Sequence, residues 1–477
     1  MRTVLRLFAC LAILAVLCRA DARTQQHVGA ALAITSVAII DVSAATGEAA
    51  VKADQTVIVR AGTIAAIGNS RTTAVPADAQ PIDGRGKYLI PGLWDMHAHA
   101  LNAYEWAFPL FIANGVTGIR EMGTVLPFER ISEIRQATSK GKLLGPRLGA
   151  ATAQILDGRG SVITPSTVVE TGDEARRLVR EYRQRGIDFI KPYNLLSRDV
   201  YLAIVDEAKR QKMSVAGHVP VSMTATEASD LGQVSIEHSW DIFLSSSSDE
   251  AKLRQDRLDL MKDSPAQVFS QIEARAAATL NEWKAGELFR RFARNGTWIT
   301  PTLVVFVTAT IGERDRTNDE RLKYIPTTTR ERWHKQWRQR PAGFAERQAT
   351  LNKSRLQIVK LMHRARVSLL AGTDILNPFL FPGFSLHHEL ELLVQAGLSP
   401  LEALRTATLN PARFLGRDKE LGTIERGKLA DLVLLDADPL QDIHHTQRIA
   451  AVVTGGRLYD RASLDAMLEA AASDANR

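Results

Sequence analysis

Short apolar runs alternate with longer amphipathic stretches from residue 89 to 420. Eight runs stand out: Tyr88–Leu93, Gly115–Ile119, Arg147–Thr152, Asp188–Tyr193, Ser214–His218, Val234–His238, Trp298–Val305 and Val367–Gly372. Runs this short and this apolar suit strands buried on both faces, and the stretches between them carry a helical period. Eight such repeats predict an α/β fold, a (β/α)8 TIM barrel. The flanks read differently. Ala33–Val42 and Thr56–Ile67 on one side, and Leu429–Leu435 and Ala450–Val453 on the other, have strand-like patterns broken by turns at Arg60-Ala61-Gly62, Arg426-Gly427-Lys428 and Gly455-Gly456. Residues 29–88 plus 421–460 therefore predict a small β-sandwich domain built from both chain ends, around a barrel at 89–420 and ahead of a C-terminal helix or tail at 461–477. Ser399, Pro400 and Glu402 form a capping-box signal, and Asn410-Pro411 marks another helix start. Two connections, 240–295 and 308–366, are long. Loops after barrel strands lie on the catalytic face, so both are candidates for a lid or pocket wall, with surface helices as the plainer reading.

Composition narrows the class. Of 477 residues, 45% are hydrophobic and 24% charged, which excludes wholesale disorder and a polytopic membrane protein. Arg2 and Arg6, the apolar run Leu7–Cys18 and Ala20-Asp21-Ala22 read as a signal peptide over residues 1–22. The run is too short to span a bilayer. Export to the periplasm or medium is expected, with no stable membrane span after cleavage. The leader contains both cysteines, Cys10 and Cys18, so the mature chain has neither disulfides nor thiolate chemistry. Net charge is +7, but no dense Lys/Arg tract or basic–aromatic repeat points to nucleic acid. Arg314, Arg316, Arg321, Arg330, Arg332, Arg338 and Arg340 read as a solvated helix face.

Chemistry collects where the runs end. His97 and His99 lie two apart, as two ligands on one strand face require. Asp95 would share that face as a supporting partner. Lys191, His218, His238 and Asp374 each follow an apolar run. Any one could be a packed polar residue. Titratable groups recurring at the ends of runs one, four, five, six and eight instead fit a barrel's catalytic face.

These residues and their surroundings resemble the amidohydrolase superfamily. The resemblance rests on the entry Leu89-Ile90-Pro91-Gly92-Leu93-Trp94-Asp95-Met96-His97-Ala98-His99 and the exit Gly427-Lys428-Leu429-Ala430-Asp431-Leu432-Val433. Asp188-Phe189-Ile190-Lys191, Gly217-His218-Val219-Pro220 and Ile236-Glu237-His238 are most similar to the imidazolonepropionase-related, Xaa-Pro dipeptidase-like branch. The resemblance implies two divalent ions, with zinc expected: His97, His99 and Asp374 on the buried one, His218 and His238 on the exposed one. Lys191, carboxylated by carbon dioxide to N6-carboxylysine, would bridge them. A carbamate offers two oxygens and a negative charge where an ammonium would repel both cations. The implied reaction is hydrolysis by a metal-bridged hydroxide, with Asp374 carrying the proton. Tyr193, two after Lys191 and so on its strand face, is a candidate donor to the tetrahedral oxygen, with core packing as the other reading.

Specificity is less legible. Where many relatives carry Gly-Gly-His-Gly, this chain reads Asp157-Gly158-Arg159-Gly160, and Arg159 is either a surface arginine in a glycine loop or a candidate for binding a substrate carboxylate. His387 and His388 are read as helix-surface histidines rather than ligands. The expected substrate is a small-molecule amide, a dipeptide or an N-acyl amino acid. A cyclic amide or lactone hydrolase, a mononuclear site and a metal-binding scaffold without turnover remain alternatives, and homo-oligomerisation stays open.

Overall fold

A computed structural model describes residues 31–239, 241–263, 268–340 and 343–476. The leader expected at residues 1–22 lies outside them. The N-terminal part supplies β1 (Leu32–Ile40), β2 (Val51–Arg60), β3 (Thr63–Asn69), β4 (Gln80–Asp83) and β5 (Tyr88–Pro91). The middle supplies β6 (Leu93–Ala98), β7 (Val116–Glu121), β8 (Arg147–Ala151), β9 (Ile155–Asp157), β10 (Ser166–Val168), β11 (Phe189–Ile190), β12 (Ser214–Gly217), β13 (Ser235–Glu237) and β14 (Trp298–Thr300). β15 (Leu432–Leu435), β16 (Ile449–Thr454) and β17 (Arg457–Asp460) come last, before a helix at Arg461–Asp474.

Both chain ends meet in one connected sheet of order β17-β16-β15-β5-β1-β2-β3, with β4 also paired to β1. Its seam is the antiparallel β5–β15 ladder, Pro91 opposite Leu432 through Tyr88 opposite Leu435. Ile34, Val37, Val57, Leu89, Leu432 and Val453 belong to its separate apolar core. The middle strands form two parallel ladders, β6-β7-β8 and β11-β12-β13-β14, while β9 and β10 pair with each other. Every residue of β6 and β7 is buried, as strands covered on both faces demand.

The first apolar run divides differently from the expectation. Tyr88–Pro91 belongs to the composite sheet, and Gly92 separates it from β6, which begins at Leu93. A Cβ at Gly92 would lie only 2.1 Å from the Thr117 hydroxyl oxygen, so only glycine fits between the two sheets there. The eighth run is not a continuous strand. Leu369 forms a parallel bridge to Ile299, and Ile375 another to Ala98. Backbone bonds nevertheless line this segment on both sides: Leu370 N–H donates to Ile299 O at 2.9 Å, and Met96 N–H donates to Ala371 O at 2.9 Å.

The helices follow local signals. Thr171 caps Gly172–Gln184 by accepting from Glu174 N, and Ala175, Leu178, Val179 and Tyr182 form its buried stripe. The capping box at Ser399 and Glu402 is formed. The second signal was offset: its helix spans Leu409–Phe414, so Pro411 is its third residue. Both long connections are helical, with Glu250–Asp263, Val268–Ala278 and Glu282–Asn295 in one and Thr327–Arg338 and Phe344–Arg364 in the other. The arginines of the second connection are not uniformly solvated. Arg316 is buried with its guanidinium 3.6 Å from the Trp337 ring centroid, and Arg340 lies 3.5 Å from the same ring. Flat guanidinium groups stack on aromatic faces, which a charge pattern alone does not reveal. Among the described residues, no helix is long and apolar enough to cross a membrane.

Candidate metal centre

His97 is the fifth residue of β6, and His99 lies one residue past its end. Lys191, His218 and His238 immediately follow β11, β12 and β13. Asp374 follows the irregular eighth segment, in the left-handed region at φ +54°, and His238 has φ +58°. Two non-glycine residues in that region at one site mark backbone held by its surroundings. Close approach explains part of it. A Cβ on Gly372 would sit 2.7 Å from His97 Cβ and 2.7 Å from Thr300 Cγ2, so glycine lets the Asp374 segment lie against β6.

These side chains form one contiguous group. His97 Nε2 and His99 Nε2 lie 3.4 and 3.5 Å from Asp374 Oδ1, and His238 Nε2 lies 3.8 Å from Asp374 Oδ2. Lys191 Nζ is 3.3 Å from His97 Nε2. The His97 and His238 ring centroids are 4.5 Å apart, and those of His238 and His218 5.0 Å. Tyr193 stacks on His218 at 4.1 Å. One ligand atom each from His97, His99 and Asp374 fits within 4.8 Å, the spacing a single ion can gather.

Each imidazole is held by its other nitrogen. His99 Nδ1 donates to Gly123 O at 2.7 Å, a carbonyl that only accepts, so Nε2 keeps its lone pair. His97 Nδ1 lies 2.8 Å from Glu237 Oε2, His218 Nδ1 2.8 Å from Asn194 Oδ1, and His238 Nδ1 2.7 Å from Thr302 Oγ1. Burial pushes His97, His218 and His238 well below the usual imidazole range, and His99 down to about 3. All four rings are therefore neutral and able to ligate at physiological pH. Burial lowers Lys191, against the pull of Asp374, and raises Asp374, against the pull of Lys191. Burial also raises the Tyr193 phenol, keeping it protonated as a donor. Neutral imidazoles, a carboxylate and a lysine whose charged form burial disfavours fit a divalent cation of zinc type.

Other candidates lie elsewhere. Asp95 accepts from the His97 and Thr373 backbone N–H groups at 3.1 and 3.0 Å rather than from an imidazole, and so ties β6 to the Asp374 segment. Arg159 has a side chain 83% exposed and bonds to Glu170 at 2.8 Å. His387 is not on a helix surface: it is buried, with Nδ1 2.9 Å from Thr446 Oγ1 and Nε2 3.0 Å from Asn114 O. His388 is half-buried. Its helix is pinned against the segment before β16, which a local polar pattern does not show. Supporting residues that sequence reasoning missed include Glu237, Arg120, Asn194 and Thr302. The charge of Glu237 inside the sixth apolar run, and that of Arg120 directly after the second, were the available signals.

The amidohydrolase family pattern matches residues 88–459, and the chain belongs to the amidohydrolase family. Among curated relatives, imidazolonepropionase of Shouchella clausii is 35% identical over 103 residues, which is 21% of this chain and 23% of that protein. N-substituted formamide deformylase of Arthrobacter pascens is 42% identical over 64 residues, 13% of this chain and 12% of that protein. The matched stretches thus span a quarter or less of these relatives. Similarity of fold runs much further. The bottromycin amidohydrolase structure aligns with a TM-score of 0.71 at 24% identity, over 93% of this chain and 90% of that one. A Xaa-Pro dipeptidase structure with methionine in its active site aligns with a TM-score of 0.65 at 20% identity, over 90% and 100%. The branch resemblance read from the sequence thus meets both kinds of neighbour.

Proposed function

We propose that this chain is an exported metal-dependent hydrolase that cleaves an amide C–N bond of a dipeptide or N-acyl amino acid. The observation that carries this reading is the convergence of four neutral imidazoles, Lys191 and Asp374 at the C-terminal ends of the parallel strands and of the irregular eighth segment. In this proposal the two parallel ladders and the 367–372 segment close as a (β/α)8 barrel, with the composite sheet folded as a sandwich beside it. The backbone bonds from Leu370 to Ile299 and from Met96 to Ala371 support that closure.

Two divalent ions, held by His97, His99 and Asp374 and by His218 and His238, would activate water and polarise the scissile carbonyl. Lys191 would bridge them as a carbamate. Its neutral amine attacks carbon dioxide, an N–C bond forms, and one proton leaves. Burial favours that amine. Asp374 accepts the proton of the attacking water and returns it to the departing nitrogen, which leaves as an amine. Tyr193, protonated and stacked on His218, donates to the developing oxyanion. Arg159 would exchange Glu170 for a substrate carboxylate, so Arg159→Ala raises KM for acid-ended substrates only. Equal loss on neutral analogues contradicts that role.

The imidazolonepropionase matches, 35% to 41% identical over about a hundred residues, favour a second reading, opening of a cyclic amide. The zinc-loaded protein lacking residues 1–22 is assayed against dipeptides, N-acyl amino acids, cyclic amides and lactones. Cleavage of the linear amides is expected. Turnover confined to cyclic amides or lactones overturns the first reading.

A further inference from the structure

Three of the four histidines give Nδ1 to a neutral partner: the Gly123 carbonyl, the Asn194 amide and the Thr302 hydroxyl. His97 instead meets a carboxylate, Glu237, at 2.8 Å, and neither side chain has any exposure. Glu237 is itself gripped by Arg120, whose Nη2 donates to Oε1 at 2.8 Å and to Oε2 at 2.9 Å. The Ser235 hydroxyl donates to the same carboxylate. Arg120 is completely buried, and it also bonds to Thr300 Oγ1 at 3.1 Å and, through Nε, to the carbonyl of Met96, the residue before His97. The chain Arg120–Glu237–His97 thus runs from β7 through β13 to β6.

A neutral acceptor would fix the tautomer of His97 equally well and at less cost, because taking two charges out of water is expensive even when they are paired. The charge adds something a carbonyl cannot. A carboxylate behind an imidazole draws on its N–H and makes the opposite nitrogen a stronger donor. Arg120 bonds to both carboxylate oxygens of Glu237 and holds it in place against His97.

We propose that Arg120 and Glu237 are positioning residues that make His97 the strongest donor in the centre, so that the His97–His99–Asp374 side binds its divalent ion first and most tightly. For the second ion the inference rests on the binuclear reading above; for the first it does not.

The test is a cobalt(II) titration of the metal-free protein, reading the visible absorption and the bound cobalt at each step. Glu237→Gln keeps an acceptor for His97 and removes the charge. It should weaken the first step 10–100-fold, the range typical of a lost supporting partner, and leave the second within about twofold. Thr302→Ala, behind His238, should do the reverse. Glu237→Gln leaves Arg120 as an uncompensated buried cation, so Arg120→Met/Glu237→Gln is titrated in parallel, with circular dichroism of the metal-free proteins reporting the fold. A folded single or double variant with an unchanged first step, or with both steps weakened alike, overturns the proposal. If the wild-type protein takes up one cobalt only, the binuclear reading fails. The inference then still demands that this single step weaken in Glu237→Gln.

Discussion

In the proposed reaction Lys191 carries the site's most specific chemistry, because beside two cations a buried lysine is useful as an amine and harmful as an ammonium. Lys191→Ala should lower turnover by more than about 100-fold, beyond the 10–100-fold that loss of a supporting partner costs. Short carboxylic acids should restore part of it, since they supply the missing oxygens. Rates with and without propionate check this. A second residue predicts a pH dependence away from the candidate metal centre. Glu389 is buried and accepts from Leu303 N at 3.0 Å and Val304 N at 2.8 Å, and burial raises it from 4.5 to about 8. The folded state therefore keeps a proton that the unfolded chain has released, so this group makes stability fall as pH rises from about 4.5 to 8. Glu389→Gln should flatten that fall while losing about 1–2 kcal/mol at pH 5, where one backbone N–H loses its acceptor. Urea midpoints across that range measure both effects. His97, His99, Lys191, His218, His238 and Asp374 were legible because they end or follow apolar runs. Glu237 and Arg120 were not, because their meaning lies in a partner on another strand more than a hundred residues away.

The eighth apolar run shows how an element can be placed correctly and shaped wrongly. Its apolar content predicted a strand, yet it joins its neighbours through isolated bridges, and Asp374 just beyond it lies in the left-handed region. Gly372→Ala should push this segment off β6, cost about 1–3 kcal/mol from overpacking and reduce bound metal. Thermal melting and elemental analysis test the two parts together. The second long connection meets the same region. Fully buried Trp333 packs on Phe379 and Phe381, a few residues beyond Asp374, at centroid distances of 5.6 and 5.7 Å. Trp333→Ala should cost about 3–5 kcal/mol through the cavity it leaves. It should also lower kcat more than it raises KM, by loosening the segment that holds Asp374, the proton carrier in the proposed reaction. Denaturant unfolding and steady-state kinetics measure these effects. Trp333 and Trp337 were visible four apart in the sequence, but their aromatic partners beyond Asp374 lay outside any local period.

At the scale of the molecule, the chain ends close on each other. β5 and β15 pair directly, and Arg147 at the start of β8 bonds to Asp431 beside β15, tying the composite sheet to the parallel strands. The alternation of runs and helices made the α/β class readable, and the turns in both flanks made the pairing of distant ends readable. The break at Gly92 was not, because it depends on Thr117, a residue on the neighbouring strand. The central claim is that the assembled centre hydrolyses amides through bound divalent ions. It is tested most directly by following amide cleavage against bound zinc as the chelated protein is reloaded. The metal-free protein should show no turnover, and the rate should rise with zinc to a plateau at two ions per chain. Undiminished cleavage after complete removal of metal would contradict it.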